Sequence, residues 1–151
     1  MDQFILFVAT GFGLGRIPTA PGTFGTLAGL PLIWVMTMLS PTASGFFLVC
    51  LSLISIGIAD RAETLMNAKD PGAIVIDEMA GYCVTMSLVP VGFTSLAAGF
   101  LAFRCFDILK PWPVRYFEKK FSGGAGVVLD DIMAGVMAAL VLKILYSTGV
   151  L

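Results

Sequence analysis

The sequence predicts an all-α membrane protein: a compact bundle of four to five transmembrane helices with a glycine-rich amino-terminal arm, interfacial or re-entrant. Three observations carry that expectation. Of 151 residues, 58% are hydrophobic and 13% charged, with a mean hydropathy of +0.95, against roughly 45–50% and about 25% in soluble domains. Several apolar runs approach the about 20 residues that a bilayer crossing needs. The lysines and arginines of the connections all fall on alternate connections, as one-sided retention requires.

The arm comes first. Phe4–Ala9 is apolar but too short to span, and Gly11, Gly13 and Gly15 follow it. Irregular backbone at membrane depth persists only when buried in protein or lining a wet cavity. No cleavable signal peptide is expected, since Phe4–Val8 is short and no base precedes it. The first span is Phe24–Leu39, kinked at Pro31. The second starts at Ser44 as N-cap and runs through Ala59, with a polar extension Asp60–Lys69. The third opens at Asp70-Pro71, cap and first helical position, and reaches Val89. Phe93–Leu109 is the fourth, stopped by Lys110-Pro111-Trp112-Pro113, and Val127–Tyr146 the fifth, after the glycines 123–126. All of it forms one domain, residues 1–151.

Ser40–Ala43 and Pro90–Gly92 carry no charge, whereas Arg16, Arg61, Lys69, Lys110, Arg115, Lys119 and Lys120 gather on the other side, expected to be the cytoplasm. A net charge of −1 leaves no basic footprint for nucleic acid. With no histidine, Ser-His-Asp hydrolysis and histidine metal ligation are excluded. Cys50, Cys83 and Cys105 form no Cys-x-x-Cys and read as small buried apolar residues.

The acids follow the bases. Asp77 and Glu78 are expected two turns into the third helix, Asp107 near the end of the fourth, and Asp130 and Asp131 one turn into the fifth. Five carboxylates then share one depth just below the interface, where an ionised group must face the bundle interior or a wet cavity. They repel one another without a cation, and carboxylate oxygens select a hard one such as Mg²⁺. Pairing with Arg104, Lys110, Arg115 or Lys143 is the structural alternative, and Arg104 and Asp107 stand at i, i+3. An internal echo, Asp-x-Met-Ala-Gly, occurs at 77–81 and 131–135, with Asp and Gly four apart on one helix face. Gly11–Thr26 exposes backbone N–H groups and threonine hydroxyls ahead of the first span, the composition of an anion site. Together these pieces describe a metal-dependent enzyme acting on a lipid phosphate. A cation transporter or channel also needs carboxylates, but along its whole path rather than at one interface.

Four motifs carry a resemblance: Pro18-x-x-Pro21-Gly22-Thr23-x-Gly25, Ile76-Asp77-Glu78-x-x-Gly81, Phe103-Arg104-x-x-Asp107-x-x-Lys110-Pro111-Trp112-Pro113, and Gly123-Gly124-x-Gly126-x-x-x-Asp130-Asp131-x-x-Ala134-Gly135. In order and spacing they resemble the bacterial phosphatidylglycerophosphatase A family. The resemblance implies a multi-pass protein of the bacterial inner membrane, with its site facing the cytoplasm. It implies Mg²⁺-dependent hydrolysis of phosphatidylglycerophosphate to phosphatidylglycerol and phosphate. Other lipid-phosphate enzymes fit less well: the Asp-Gly-x-x-Ala-Arg of CDP-alcohol phosphotransferases is absent. On that footing Asp77, Glu78, Asp130 and Asp131 are the expected metal ligands, and Asp77, Asp107, Asp130 and Asp131 the catalytic carboxylates. Thr23, Arg16, Arg104 and Lys110 are expected to hold the phosphate, with the lipid tails beside the third and fifth helices. The nucleophile is water or a carboxylate, and several adjacent carboxylates suit metal binding and an activated water better than direct attack.

Overall fold

The computed structural model describes residues 1–151 as eight α-helices with two short 3-10 turns and no strand. In chain order the helices are α1 (Asp2–Ala9), α2 (Pro21–Ala28), α3 (Leu30–Thr37), α4 (Pro41–Met66), α5 (Ile76–Thr85), α6 (Phe93–Leu109), α7 (Val114–Lys120) and α8 (Gly124–Ser147).

Two of them, α4 with 26 residues and α8 with 24, are long and apolar enough to cross a membrane. The fourth expected helix has the bounds of α6, whose 17 residues stand at the lower end of the length that crosses a bilayer. The first is not one kinked helix. It is two eight-residue helices, α2 and α3, broken at Gly29 rather than at Pro31. Proline there sits in the first turn of α3, where its missing N–H costs nothing. Ser40, not Ser44, caps α4 by accepting the Ala43 N–H at 3.3 Å, and α4 absorbs most of the expected polar extension.

The third span differs most. Asp70-Pro71 starts no helix: Asp70 is left-handed, with φ +45°. Its N–H donates to Glu63 Oε1 at 2.5 Å, and the Val75 N–H donates to Ala9 O at 2.9 Å. Those tertiary bonds hold residues 70–75 against α4 and α1, so α5 begins only at Ile76 and ends at Thr85. Asp77 and Glu78 therefore lie in the first turn of α5, where the helix dipole favours anions.

Nearly every residue of α5 is buried, which makes it the central helix. Its most extensive partner is α8, which also packs on α4, α6 and α7, while α2 lies against α5 and α1 against α4. The larger core joins Ile33, Tyr82, Phe103 and Leu142, and a second cluster joins Ala9, Ala59, Ala62 and Val128. Tyr82 is enclosed with its hydroxyl donating to Leu96 O at 2.8 Å, so its polar end is satisfied. The outer face of α4 presents Phe46, Val49, Leu53 and Ile54, a surface suited to hydrocarbon.

Candidate active site

The echo in the sequence is a helix crossing. A Cβ on Gly135 would strike Gly81 O, and a Cβ on Gly81 would stand 2.7 Å from Asp131 O and 2.5 Å from Phe103 Cε2. Backbone contact this close requires glycine at both positions. Since each glycine follows its aspartate by four residues, the crossing of α5 and α8 also brings Asp77 and Asp131 together. Asp77, Glu78 and Asp131 each offer an oxygen within 4.8 Å of the others.

These three groups are enclosed and incompletely bonded. Asp77 Oδ1, Glu78 Oε2 and Asp131 Oδ2 are buried without a hydrogen-bond partner. An orphaned buried carboxylate oxygen is costly unless something positive completes it. The nearest cation is Arg104 on α6. Its Nη1 lies 2.6 Å from Asp107 Oδ2 and 3.7 Å from Glu78 Oε1. Nη1 is close enough to Asp107 for an ion pair, and Nε is buried without a partner.

Asp130 takes a different partner. Its Oδ2 accepts from Lys110 Nζ at 2.7 Å, and Lys110 also donates to Glu118 Oε1 at 2.8 Å. Asp130 Oδ1 accepts the Asp131 N–H at 3.1 Å. Asp130 is accordingly outside the three-carboxylate group, and its partner Lys110 is one of the bases that the structural alternative names. Lys110, just past the end of α6, has a left-handed φ of +43° that turns its side chain back across α8. Burial alone would lower its pKa, but the hydrogen bonds and negative charges of Asp130 and Glu118 win and raise it. Lys110 stays protonated.

A cleft of about 370 Å³ collects Asp77, Glu78, Asp107, Asp130 and Asp131 with Arg104 and Lys110. Pro21 and Gly22 at the start of α2 close one side of it. A Cβ at Gly22 would meet Glu78 Oε1 and stand 2.7 Å from Arg104 Nη1, so both side chains lie directly against the start of α2. Thr23 and Arg16 are not among the lining residues. Arg16 ends the 3-10 turn at Leu14–Arg16, with its side chain exposed. Sequence reasoning missed Asp70 and Gly72 as lining residues; the Asp-Pro-Gly turn was the available signal, absorbed there into a helix start. It also missed Asp60 of α4, whose Oδ1 accepts the Gly124 N–H at 3.1 Å and so holds the start of α8.

Six carboxylates against two cations make the cleft strongly anionic, with an ion-paired guanidinium and a lysine fixed in its charged state. That donor set has the chemistry to hold a hard cation and, beside it, an anion such as a phosphomonoester.

Residues 7–146 match the family model for Phosphatidylglycerophosphatase A. Phosphatidylglycerophosphatase A of Escherichia coli (strain K12) is 38% identical over 143 residues, covering 94% of this chain and 81% of the relative. The protein of the same name from Haemophilus influenzae is 38% identical over 145 residues, covering 91% of this chain and 85% of its own. A putative phosphatidylinositol-3-phosphatase of Bacteroides thetaiotaomicron is 35% identical over 150 residues, covering 92% and 91%. No solved structure matches.

Proposed function

The chain belongs to the phosphatidylglycerophosphatase A family, and from that premise we propose that it hydrolyses the terminal phosphomonoester of phosphatidylglycerophosphate, with Mg²⁺ held by Asp77, Glu78 and Asp131. The observation that carries the metal assignment is the buried trio, each member with an oxygen lacking a partner. Mg²⁺ characteristically binds through a few carboxylates plus substrate phosphate oxygens, which fits this donor set. When bound, the cation supplies neutralisation of phosphoryl charge and an acidified water.

The protein's own groups do the rest. Arg104 and Lys110 place positive charge beside the phosphoryl oxygens. Asp107 and Asp130 stand outside the trio, each paired with a cation, and are placed to take the proton of an attacking water. The water oxygen forms the new bond to phosphorus and the ester P–O bond breaks. The carboxylate that took the water's proton returns it to the leaving alkoxide, giving the membrane-bound alcohol and free inorganic phosphate.

Five crossings fit the chain: α2 with α3, then α4, then α5 with the 3-10 turn at Met86–Leu88, then α6 and α8. Successive connections alternate between the uncharged end and the charged end, which supports a cytoplasmic site in a bacterial inner membrane. The Bacteroides relative's name raises an inositol lipid phosphomonoester as a second substrate class. Phosphate release by the purified protein, given phosphatidylglycerophosphate or phosphatidylinositol 3-phosphate in separate mixed micelles with Mg²⁺, decides between them. Faster release from the first supports the proposal. Release from the second alone replaces the substrate, and release from neither refutes the activity.

A further inference from the structure

The stripe of α6 that carries Arg104 continues away from the cleft as Phe100, Ala97 and Phe93. These positions are four, three and four residues apart, so all four share one helical face. That face is one wall of a second cavity of about 440 Å³, lined by hydrophobic residues alone. Leu27 and Leu30, at the junction of α2 and α3, form the opposite wall, and Tyr82 of α5 lies between. The same two elements bound both cavities. Gly22 of α2 faces Arg104 at the cleft, and Leu27 faces Phe100 about one turn further along. From Arg104 to Phe93 the stripe runs about 16 Å at a rise of roughly 1.5 Å per residue. It opens outward, with Phe93 88% exposed and Leu101 68% exposed.

We propose that this groove holds one acyl chain of the phospholipid whose phosphomonoester lies in the cleft. The inference rests on the phosphatase reading. Three features select the occupant. The only polar group in the lining, the Tyr82 hydroxyl, is spent on Leu96 O, so the groove offers water and peptide backbone no hydrogen-bond partner. No charged residue lines it. It also lies on the same face of α6 as Arg104 and between the same two helices, α2 and α6, as the headgroup cleft, so a tail attached to a bound headgroup is within reach of it. A tail leaving the bilayer gains no hydrophobic free energy, since hydrocarbon surrounds it on both sides. The groove therefore acts by orientation. Fixing one chain sets the register of the headgroup against Arg104 and the acidic trio, where a misplacement of an ångström is costly.

Ala97 is exposed at the groove wall, so Ala97→Trp fills the groove without disturbing the core. Leu53→Trp on the outer face of α4 serves as control, with Leu53 64% exposed to the same surroundings. Each protein is assayed on dioleoyl and on water-soluble dibutanoyl phosphatidylglycerophosphate. Ala97→Trp is expected to lower kcat/KM for the dioleoyl lipid by about tenfold or more, and to leave the dibutanoyl substrate within about twofold. Leu53→Trp should change neither. Equal losses on both substrates, no loss on the dioleoyl lipid, or the same loss in Leu53→Trp overturns the groove assignment. If the unaltered protein releases phosphate from neither substrate, it is the phosphatase reading that fails.

Discussion

Lys110 stands between two acidic side chains, Asp130 of α8 and Glu118 of α7, and belongs to a cleft that otherwise repels its own carboxylates. The pairing raises its pKa above the usual lysine value of about 10.4. A group whose folded pKa is raised contributes its full stability below the unfolded value, and loses it only as pH climbs through the folded one. The stability difference between wild type and Lys110→Gln should therefore stay constant from about pH 7 to 9. Thermal unfolding in detergent across that range checks this. A difference that closes between those limits would show that Lys110 is already deprotonating. Phosphate release should fall in the same variant, because Asp130 loses its cation and the cleft loses a positive charge.

At the level of elements, the crossing of α5 and α8 sets the site, and it depends on Gly81 and Gly135. In Gly135→Ala the new Cβ meets backbone rather than a flexible side chain, so rotamer changes cannot relieve it. The expected cost is about 1–3 kcal/mol, as for other overpacked cores, read as a lower unfolding midpoint together with reduced activity. An unchanged midpoint would mean the two helices do not approach as described. Much of this arrangement was legible in the sequence. The repeated Asp-x-Met-Ala-Gly pointed to a shared site, and α6 and α8 were visible as apolar runs ended by a proline-rich stop or opened by glycines. The start of α5 was not, because Asp70-Pro71 has the local chemistry of a helix start, whereas bonds to Glu63 and Ala9 hold the segment in a turn. The break at Gly29 is likewise tertiary: its Cβ position lies 3.1 Å from Met79 O, a contact that no local pattern announces. Lys110 and Asp130 are 20 residues apart, and their pairing needed the turn after α6 to be seen. The arm offered Thr23 and Arg16 as polar candidates, whereas its contribution to the cleft wall is Ala20, Pro21 and the missing side chain of Gly22.

The whole molecule is polarised along its helices. Leu39, Pro41, Pro90 and Val91 line a cavity at one end, formed by the uncharged connections, and the charged cleft lies at the other end of α6. This polarity predicts opposite accessibility for cysteines placed at Lys119 and at Ser44 in intact cells. Labelling of both from the same side would contradict the orientation. The central claim is that the buried trio of Asp77, Glu78 and Asp131 holds the metal on which hydrolysis depends. Its most direct test is a Mg²⁺ titration of phosphate release from phosphatidylglycerophosphate, comparing wild type with Asp131→Asn, which preserves volume and removes one charge. Wild type should saturate with Mg²⁺ and fall silent with chelator, and Asp131→Asn should need about 10–100-fold more metal or lose activity altogether. Full activity in chelator, or an Asp131→Asn curve that overlays the wild type, would contradict it.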